Sequence, residues 1–127
     1  MILRRNTALT LAEVLLAVFI LSVGIASTLL FFSRAMISTR LAADITTATS
    51  HAEYLLEEMQ TRKTLSEILG TDWVAWAGAE ELNTLPNETV DVRFSNALVN
   101  PLDIQATVSW MRELRNYNLT LSTKITR

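Results

Sequence analysis

Glu13 is the only charged residue in an apolar run that covers residues 8–32. At about 1.5 Å per residue, a helix over this run is long enough to cross the roughly 30 Å hydrocarbon core of a bilayer. A carboxylate inside such a span costs about 2.5–3.5 kcal/mol on insertion scales, so it is rarely present without a function and a partner. Glu13 is therefore the first candidate for a functional residue.

The segment around Glu13 has more than one interpretation from its residues alone. Arg4 and Arg5 precede the apolar run, as in an export signal with a basic n-region. One interpretation is a secretory signal that is cleaved after Ala26, where Gly24 and Ala26 supply small residues. A second is a plain signal anchor, in which Glu13 lies near the cytoplasmic interface of the membrane.

A third interpretation comes from a family resemblance. Residues 8–17 read Ala-Leu-Thr-Leu-Ala-Glu-Val-Leu-Leu-Ala. This order resembles the N-terminal motif of type IV pilins and pseudopilins, in which a short basic leader ends in Gly, or less often Ala. An apolar residue, Thr, Leu, a small or apolar residue, Glu and a hydrophobic helix then follow. Three positions depart from the commonest pattern, which has Gly, Phe and Ile where this chain has Ala8, Leu9 and Ala12.

The resemblance implies how the N-terminus is processed. A membrane prepilin peptidase would cut between Ala8 and Leu9, and the new terminus at Leu9 would be N-methylated. The residues expected to be recognised by the peptidase are Arg4, Arg5, Thr10 and Leu11.

The resemblance also implies a role for Glu13 in assembly. The amine created at Leu9 would pair with the Glu13 carboxylate of an adjacent subunit and so set the register of a filament. In hydrocarbon this pairing removes two isolated charges at once. The simpler alternative is that Glu13 caps or charges the first helical turn, where an acid favours the helix dipole. Both roles are compatible with each other.

The helical pattern continues beyond residue 32, to about Arg62. Apolar side chains recur every three or four residues, and neither Pro nor Gly occurs in 33–63. The predicted apolar stripe consists of Ile37, Leu41, Ile45, Ala48, Ala52, Leu55 or Leu56, and Met59. The predicted polar side consists of Ser38, Arg40, Asp44, Thr47, Ser50 and Glu57. We expect one long helix from about Thr10 to about Arg62.

Several charged residues on the second half of this helix have alternative interpretations. Glu58 and Arg62 are spaced to form an ion pair. Glu53, Glu57 and Glu58 form either a solvated helix face or a contact with a neighbouring subunit. His51 lies at the edge of the apolar stripe, and we expect an isolated helix histidine there rather than a metal ligand.

Residues 64–127 are expected to form a small β-meander domain. A short helical turn is predicted at 65–69, closed by Gly70. Trp73 and Trp76 are interpreted as core residues, with docking of a ligand or partner as the alternative. Alternation with a period of two then predicts three half-buried antiparallel strands, with Val90, Val92 and Phe94 on the first, residues 104–111 on the second and residues 117–125 on the third. The helix stripe is the expected cover for the apolar face of this sheet.

Composition narrows the functional classes. The net charge of −2 and the lack of a Lys/Arg cluster give no reason to expect nucleic-acid binding. The chain has no cysteine, so a disulfide framework and a thiolate metal site are excluded. The sequence contains no phosphate-binding Gly-rich loop, nucleophile elbow or paired histidines. We therefore expect neither an enzyme nor a bound cofactor or metal.

Taken together, the sequence predicts an α+β, pilin-like fold with one long N-terminal helix packed on a small three-stranded antiparallel sheet. The expected divisions are a cytoplasmic leader at 1–8, a transmembrane half-helix at 9–32, an amphipathic half-helix at 33–63 and a periplasmic domain at 64–127. Residues 21–24, Leu-Ser-Val-Gly, resemble minor pilins of the pilus-modification type. The strand with Val108, Ser109 and Trp110, followed by a basic turn and a Thr-rich last strand, is similar both to those and to I-type minor pseudopilins of type II secretion.

The expected function follows from the same resemblance. The chain would be a single-pass inner-membrane protein with its C-terminal domain periplasmic or extracellular, and it would then enter a pilus or pseudopilus. Its expected partners are other pilin or pseudopilin subunits, the prepilin peptidase/methyltransferase and the inner-membrane assembly platform. The alternative is a membrane-anchored periplasmic binding module that does not polymerise, with Trp73, Trp76 or the sheet surface as its docking site.

Overall fold

The computed structural model describes residues 10–96 and 99–126. Its helices are α1 (Leu11–Thr61), α2 (Leu65–Gly70) and α3 (Trp73–Ala79), and its strands are β1 (Thr89–Phe94), β2 (Leu102–Arg112) and β3 (Arg115–Ile125). One long N-terminal helix followed by a three-stranded antiparallel sheet confirms the predicted α+β layout. The observed bounds of α1 lie within one residue of those predicted.

The chain divides into two compact units, and α1 contributes residues to both. The first unit ends at Arg40, and the second runs from Leu41 to Arg127. The first unit presents apolar side chains to its surroundings, including Phe19, Leu21, Leu30 and Phe31, which are all exposed. The second unit contains the buried core.

The core of the second unit lies between α1 and one face of the sheet. The buried apolar residues of α1 are Ala48, Ala52, Leu55, Leu56 and Met59. They recur at intervals of three and four, which places them on one face of the helix. The C-terminal part of the predicted stripe is therefore confirmed.

In the N-terminal part of the predicted stripe, Leu41 packs against the core as expected, but the placement of Ile37 and Ile45 is wrong. Ile37 and Ile45 are exposed, whereas Asp44, which was assigned to the polar side, is only 6% exposed. The buried face continues from Ala48 to Asp44, one turn earlier, because Arg112 of β2 supplies a partner for the carboxylate. A paired charge can occupy a position that an unpaired one cannot.

The sheet is a meander in the order β1-β2-β3. Val90 of β1 lies opposite Val108 of β2, and Ala106 of β2 lies opposite Leu121 of β3. The central strand β2 buries every second side chain against α1, namely Leu102, Ile104, Ala106, Val108 and Trp110. The predicted alternation of apolar and polar residues is confirmed on all three strands.

A two-residue turn joins β2 to β3. Arg112 pairs with Arg115, and the intervening Glu113 and Leu114 have φ values of 50° and 64°. Positive φ at both central residues defines a type I′ turn, whose twist matches that of the flanking strands. Asn-Gly is the usual sequence for this turn, whereas here Leu114 takes the second position and is 95% exposed.

Two short helices connect α1 to the sheet. Thr64 and Glu67 form a capping box at the start of α2, which confirms the helical turn predicted at this position. The second helix, α3, was not predicted. It begins after Asp72, whose Oδ1 accepts hydrogen bonds from the backbone N–H groups of Val74 and Ala75, both at 3.1 Å.

The tryptophans of α3 close one end of the core. Trp73 is buried, and its Nε1–H donates a 2.7 Å hydrogen bond to the carbonyl oxygen of Ile68. Trp76 is partly buried and packs edge-on against Trp73, with ring centroids 5.6 Å apart. Their interpretation as core residues is confirmed.

Candidate functional site

The Glu13 carboxylate makes specific contacts at the start of α1. Its Oε2 accepts hydrogen bonds from the backbone N–H of Thr10 at 2.8 Å and from the Thr10 hydroxyl at 3.1 Å. The Glu13 N–H in turn lies 3.3 Å from the Thr10 Oγ1. This reciprocal arrangement has the form of a capping box, which satisfies backbone donors that the first turn of a helix leaves unpaired. The capping role considered for Glu13 is therefore observed.

The structure describes only part of the predicted processing motif. Arg4, Arg5, Ala8 and Leu9 lie outside the described residues. Of the remaining motif residues, Thr10 and Glu13 are brought together by the contacts above. Leu11 begins α1 and is exposed. The inferred pairing of Glu13 with the Leu9 amine stays a prediction.

The helix that begins beside Glu13 is suited to an apolar environment. By length and composition, α1 could cross a membrane. Its exposed apolar residues in the first unit point in all directions around the helix, as expected for a segment surrounded by lipid or by other apolar helices. They include Leu15, Leu16, Phe19, Ile20, Leu21, Leu29, Leu30, Phe31 and Phe32.

The hydroxyl groups of this segment are satisfied within the helix itself. Ser22 donates to the carbonyl oxygen of Val18 at 2.7 Å, Ser27 to that of Val23 at 2.8 Å, and Thr28 to that of Gly24 at 2.8 Å. Internal hydrogen bonding lowers the cost of placing these polar groups in hydrocarbon. Gly24 has no other part of the chain within 4 Å of the position that a Cβ would occupy. Ser22, Gly24, Ser27 and Thr28 therefore form a patch of small residues that is suited to close contact with another helix.

The second unit holds two polar clusters that the sequence did not reveal. Asp44 pairs with Arg112, as described above. His51 Nδ1 lies 2.5 Å from Glu88 Oε1, and the Glu88 side chain is fully buried. Glu88 also accepts a 2.9 Å hydrogen bond from the Leu85 N–H. The expectation of an isolated histidine is therefore wrong.

These clusters join α1 to the strand and loop regions of the same unit. Over residues 10–96 and 99–126, no group of three or more His, Cys, Asp or Glu side chains could hold a metal ion. The Arg112 position could have been recognised from the sequence, since it follows the inward-facing Trp110 at the strand period of two. The contact between Glu88 and His51 could not be recognised in this way, because Glu88 lies in a loop without a periodic pattern.

Comparisons of the chain with protein-family models, with curated proteins and with solved structures find no match. The motif at residues 8–17 and the geometry around Glu13 therefore carry the functional argument. The exposed apolar surface of α1 is compatible with a transmembrane helix.

Proposed function

We propose that the chain is a minor pilin or minor pseudopilin, a structural subunit that enters a type IV pilus or a type II secretion pseudopilus. The observation that carries the proposal is the Thr10–Glu13 pair at the start of α1, ahead of a stretch of uncharged, mostly apolar residues that continues to Phe32. An acid at this position in an apolar span has a cost that a function must offset. The soluble α+β unit behind the helix provides the part that partners would contact.

The proposed mechanism begins with processing of the N-terminus. A prepilin peptidase/methyltransferase cuts between Ala8 and Leu9, with Arg4, Arg5, Thr10 and Leu11 in its recognition segment, and methylates Leu9. The cut leaves a charged amine one residue before Thr10, which already contacts the Glu13 carboxylate. Processing therefore places two opposite charges at the same end of the helix.

Assembly follows from these two charges. In the membrane or in the apolar core of a filament, the Leu9 amine of one subunit pairs with Glu13 of its neighbour. Because an uncompensated charge is costly in such surroundings, subunits that are out of register are disfavoured. The capping contacts with Thr10 hold the carboxylate at the helix terminus, where an incoming amine can reach it.

The proposal assigns the chain to the bacterial inner membrane as a single-pass protein, with residues 64–127 on the periplasmic or extracellular side. Its partners are other pilin or pseudopilin subunits and the inner-membrane assembly platform. The amphipathic part of α1 supports the soluble unit, because its residues from Ala48 to Met59 complete the core over the sheet. In the alternative, a binding module that does not polymerise, Trp73 is unsuited to dock a partner because its side chain is buried.

The Glu13→Val variant tests the proposal. We expect it to be made, folded and inserted in the membrane at the level of the wild type, but to be strongly reduced in filaments sheared from cells. Glu80→Val is the matched control, because it removes an exposed acid outside α1, and we expect normal incorporation.

Incorporation of Glu13→Val at the level of the Glu80→Val control would contradict the proposed role of Glu13. A wild-type chain that is never found in filaments would instead support the anchored binding module.

A further inference from the structure

The hairpin tip, defined here as residues 112–115 between β2 and β3, carries a leucine that the fold does not use. Leu114 is 95% exposed, the highest value among the large apolar residues that the structure describes. Its φ of 64° is one that a bulky side chain rarely adopts and that glycine adopts without strain. A strained and exposed leucine at a turn position that favours glycine indicates a contact outside the folded unit.

The hairpin tip lies at the end of the second unit where α1 enters it. The second unit begins at Leu41 of α1. Near the C-terminal end of α1, Met59 belongs to the same buried cluster as Leu102, at the start of β2. Near the beginning of the unit, Asp44 pairs with Arg112, at the end of β2. The strand β2 therefore runs opposite to α1, and the hairpin tip extends past Asp44 toward the start of the unit.

This end of the unit is also the end that is tethered to the apolar part of α1. Met36 and Ile37 continue the exposed apolar surface beyond Phe32. Ile37 lies seven residues before Asp44, which is roughly 10 Å along a helix. Leu114 lies two residues beyond Arg112, up to about 7 Å farther in the strand direction. When α1 crosses a bilayer, the headgroup layer, roughly 5–7 Å thick on each side, is within reach of the hairpin tip.

The charges near the hairpin tip have an excess of positive sign. The stretches 33–47 and 109–118 together contain four arginines and two acids, an excess of +2, namely Arg34, Arg40, Arg112 and Arg115 with Asp44 and Glu113. Arg40 and Arg115 are exposed. Basic residues next to a membrane-spanning helix are attracted to anionic lipid headgroups. The charge at this end therefore complements an anionic membrane surface.

We propose that the hairpin tip docks on the surface of the membrane that α1 crosses. Leu114 inserts between the lipid headgroups, and Arg40 and Arg115 contact anionic headgroup phosphates. Because the unit is tethered to the same membrane, the local concentration of lipid is high, and a small apolar contact is sufficient to hold the tip there. The second unit then rests on the membrane surface instead of moving freely about its tether.

This docking rests on the membrane anchor that the proposed function includes, and not on processing or assembly. It involves neither the Ala8–Leu9 cut nor Glu13. Flotation of the full chain with lipid vesicles tests the anchor separately. A failure of the anchor and a failure of the docking can therefore be distinguished.

Lipid quenching of a fluorophore beside the hairpin tip tests the docking in the full chain. The native chain has no cysteine, so a nitrobenzoxadiazole probe on Asn116→Cys reports on the tip without changing residues 112–115. Ser66→Cys on α2 is the matched control, because α2 packs at the other end of the unit, with Ile68 in the cluster of Met59. In vesicles of phosphatidylcholine and phosphatidylglycerol with nitroxide-labelled acyl chains, we expect about threefold or more quenching at residue 116 relative to residue 66.

Second changes in the Asn116→Cys background identify the contacts. Leu114→Gly removes the apolar side chain and suits the positive φ, so the quenching should fall to the level of the Ser66→Cys control while the unit stays folded. Val74→Ala removes an exposed apolar side chain on α3 and should leave the quenching unchanged. Arg115→Glu, or vesicles of phosphatidylcholine alone, should lower the quenching about twofold or more. Unchanged tryptophan emission before labelling shows that each variant is folded.

Equal quenching at residues 116 and 66, in a chain that floats with the vesicles, would overturn the docking and leave the anchor intact. Undiminished quenching in Leu114→Gly would overturn it as well, and so would equal quenching with and without phosphatidylglycerol. A probe at residue 116 with blue-shifted emission but no lipid quenching would show that the tip contacts another protein, which equally contradicts docking on lipid. A chain that does not float would overturn the anchor and the docking together.

Discussion

Asp44 and Arg112 form a bidentate ion pair between α1 and the end of β2. Arg112 Nε donates to Asp44 Oδ2 at 2.7 Å, and Nη2 donates to Oδ1 at 2.5 Å. The Asp44 side chain is 8% exposed and that of Arg112 is 34% exposed. The hydrogen bond to Asp44 is the main cause of a raised pKa at Arg112. The pair therefore fixes the helix against the strand at the end next to the β2–β3 turn.

The difference in burial predicts an asymmetric response to mutation. Arg112→Leu leaves a buried carboxylate without its partner, whereas Asp44→Leu leaves a guanidinium that can turn toward solvent. We expect Arg112→Leu to lower the urea midpoint more than Asp44→Leu, and the double variant to recover most of the loss. Tryptophan fluorescence is the appropriate probe, because Trp73, Trp76 and Trp110 all lie in the second unit. Equal losses in the two single variants would contradict this account.

The buried Glu88 should contribute more to stability than its neighbour Thr84. Glu88→Ala removes the partner of His51 and of the Leu85 N–H, and an unsatisfied buried group costs about 1–3 kcal/mol. Thr84→Ala removes only an exposed contact of 3.4 Å to His51 Nε2. We expect a clear fall in the free energy of unfolding for the first variant and little change for the second. Similar values for both would show that Glu88 does not hold the loop to α1.

Replacing each of the two tryptophans of α3 should lower the free energy of unfolding by a different amount. Trp73→Ala removes a buried ring and the hydrogen bond to Ile68, so we expect a loss of about 3–5 kcal/mol in the free energy of unfolding. Trp76 is only partly buried, and Trp76→Ala should cost less. A larger loss for Trp76→Ala would contradict the packing described here.

The turn at Glu113 and Leu114 offers a stabilising change. Each residue has positive φ, which costs an ordinary residue about 1–2 kcal/mol relative to glycine. Replacing the pair by Asn-Gly, as Glu113→Asn with Leu114→Gly, should therefore raise the free energy of unfolding by about 1–2 kcal/mol or more. A decrease on urea unfolding would show that these side chains make a contribution the turn geometry does not explain.

Much of the fold could be predicted because its elements have strong periodic signals. The helix α1 has an uninterrupted apolar pattern, and each strand alternates apolar and polar residues. The helix α3 was missed because Trp73–Ala79 is a single short stretch with tryptophans and a glycine. Asp72 before Trp73 was the available signal, since aspartate is a favoured N-cap residue.

The polar clusters could not be predicted to the same degree because they depend on contacts between distant parts of the chain. From the sequence, Asp44 is assigned to the polar face of the helix, because its partner Arg112 lies 68 residues later and meets it only in the folded chain. His51 is predicted to be isolated for the same reason. Its partner Glu88 lies in the loop that follows α3 and contacts it only in the folded chain. At the N-terminus, by contrast, the contact is local: capping of the first turn by Glu13 was considered from the sequence, and the Thr-x-x-Glu spacing was the available signal for Thr10 as its partner.

The intact mass of the full chain extracted from membranes of cells with an active prepilin peptidase tests the central claim most directly. The account predicts a chain that begins at Leu9 and carries one added methyl group. A chain that still contains residues 1–8 would contradict it and support a plain signal anchor. A chain that begins at Ser27 would contradict it equally and indicate a secreted protein.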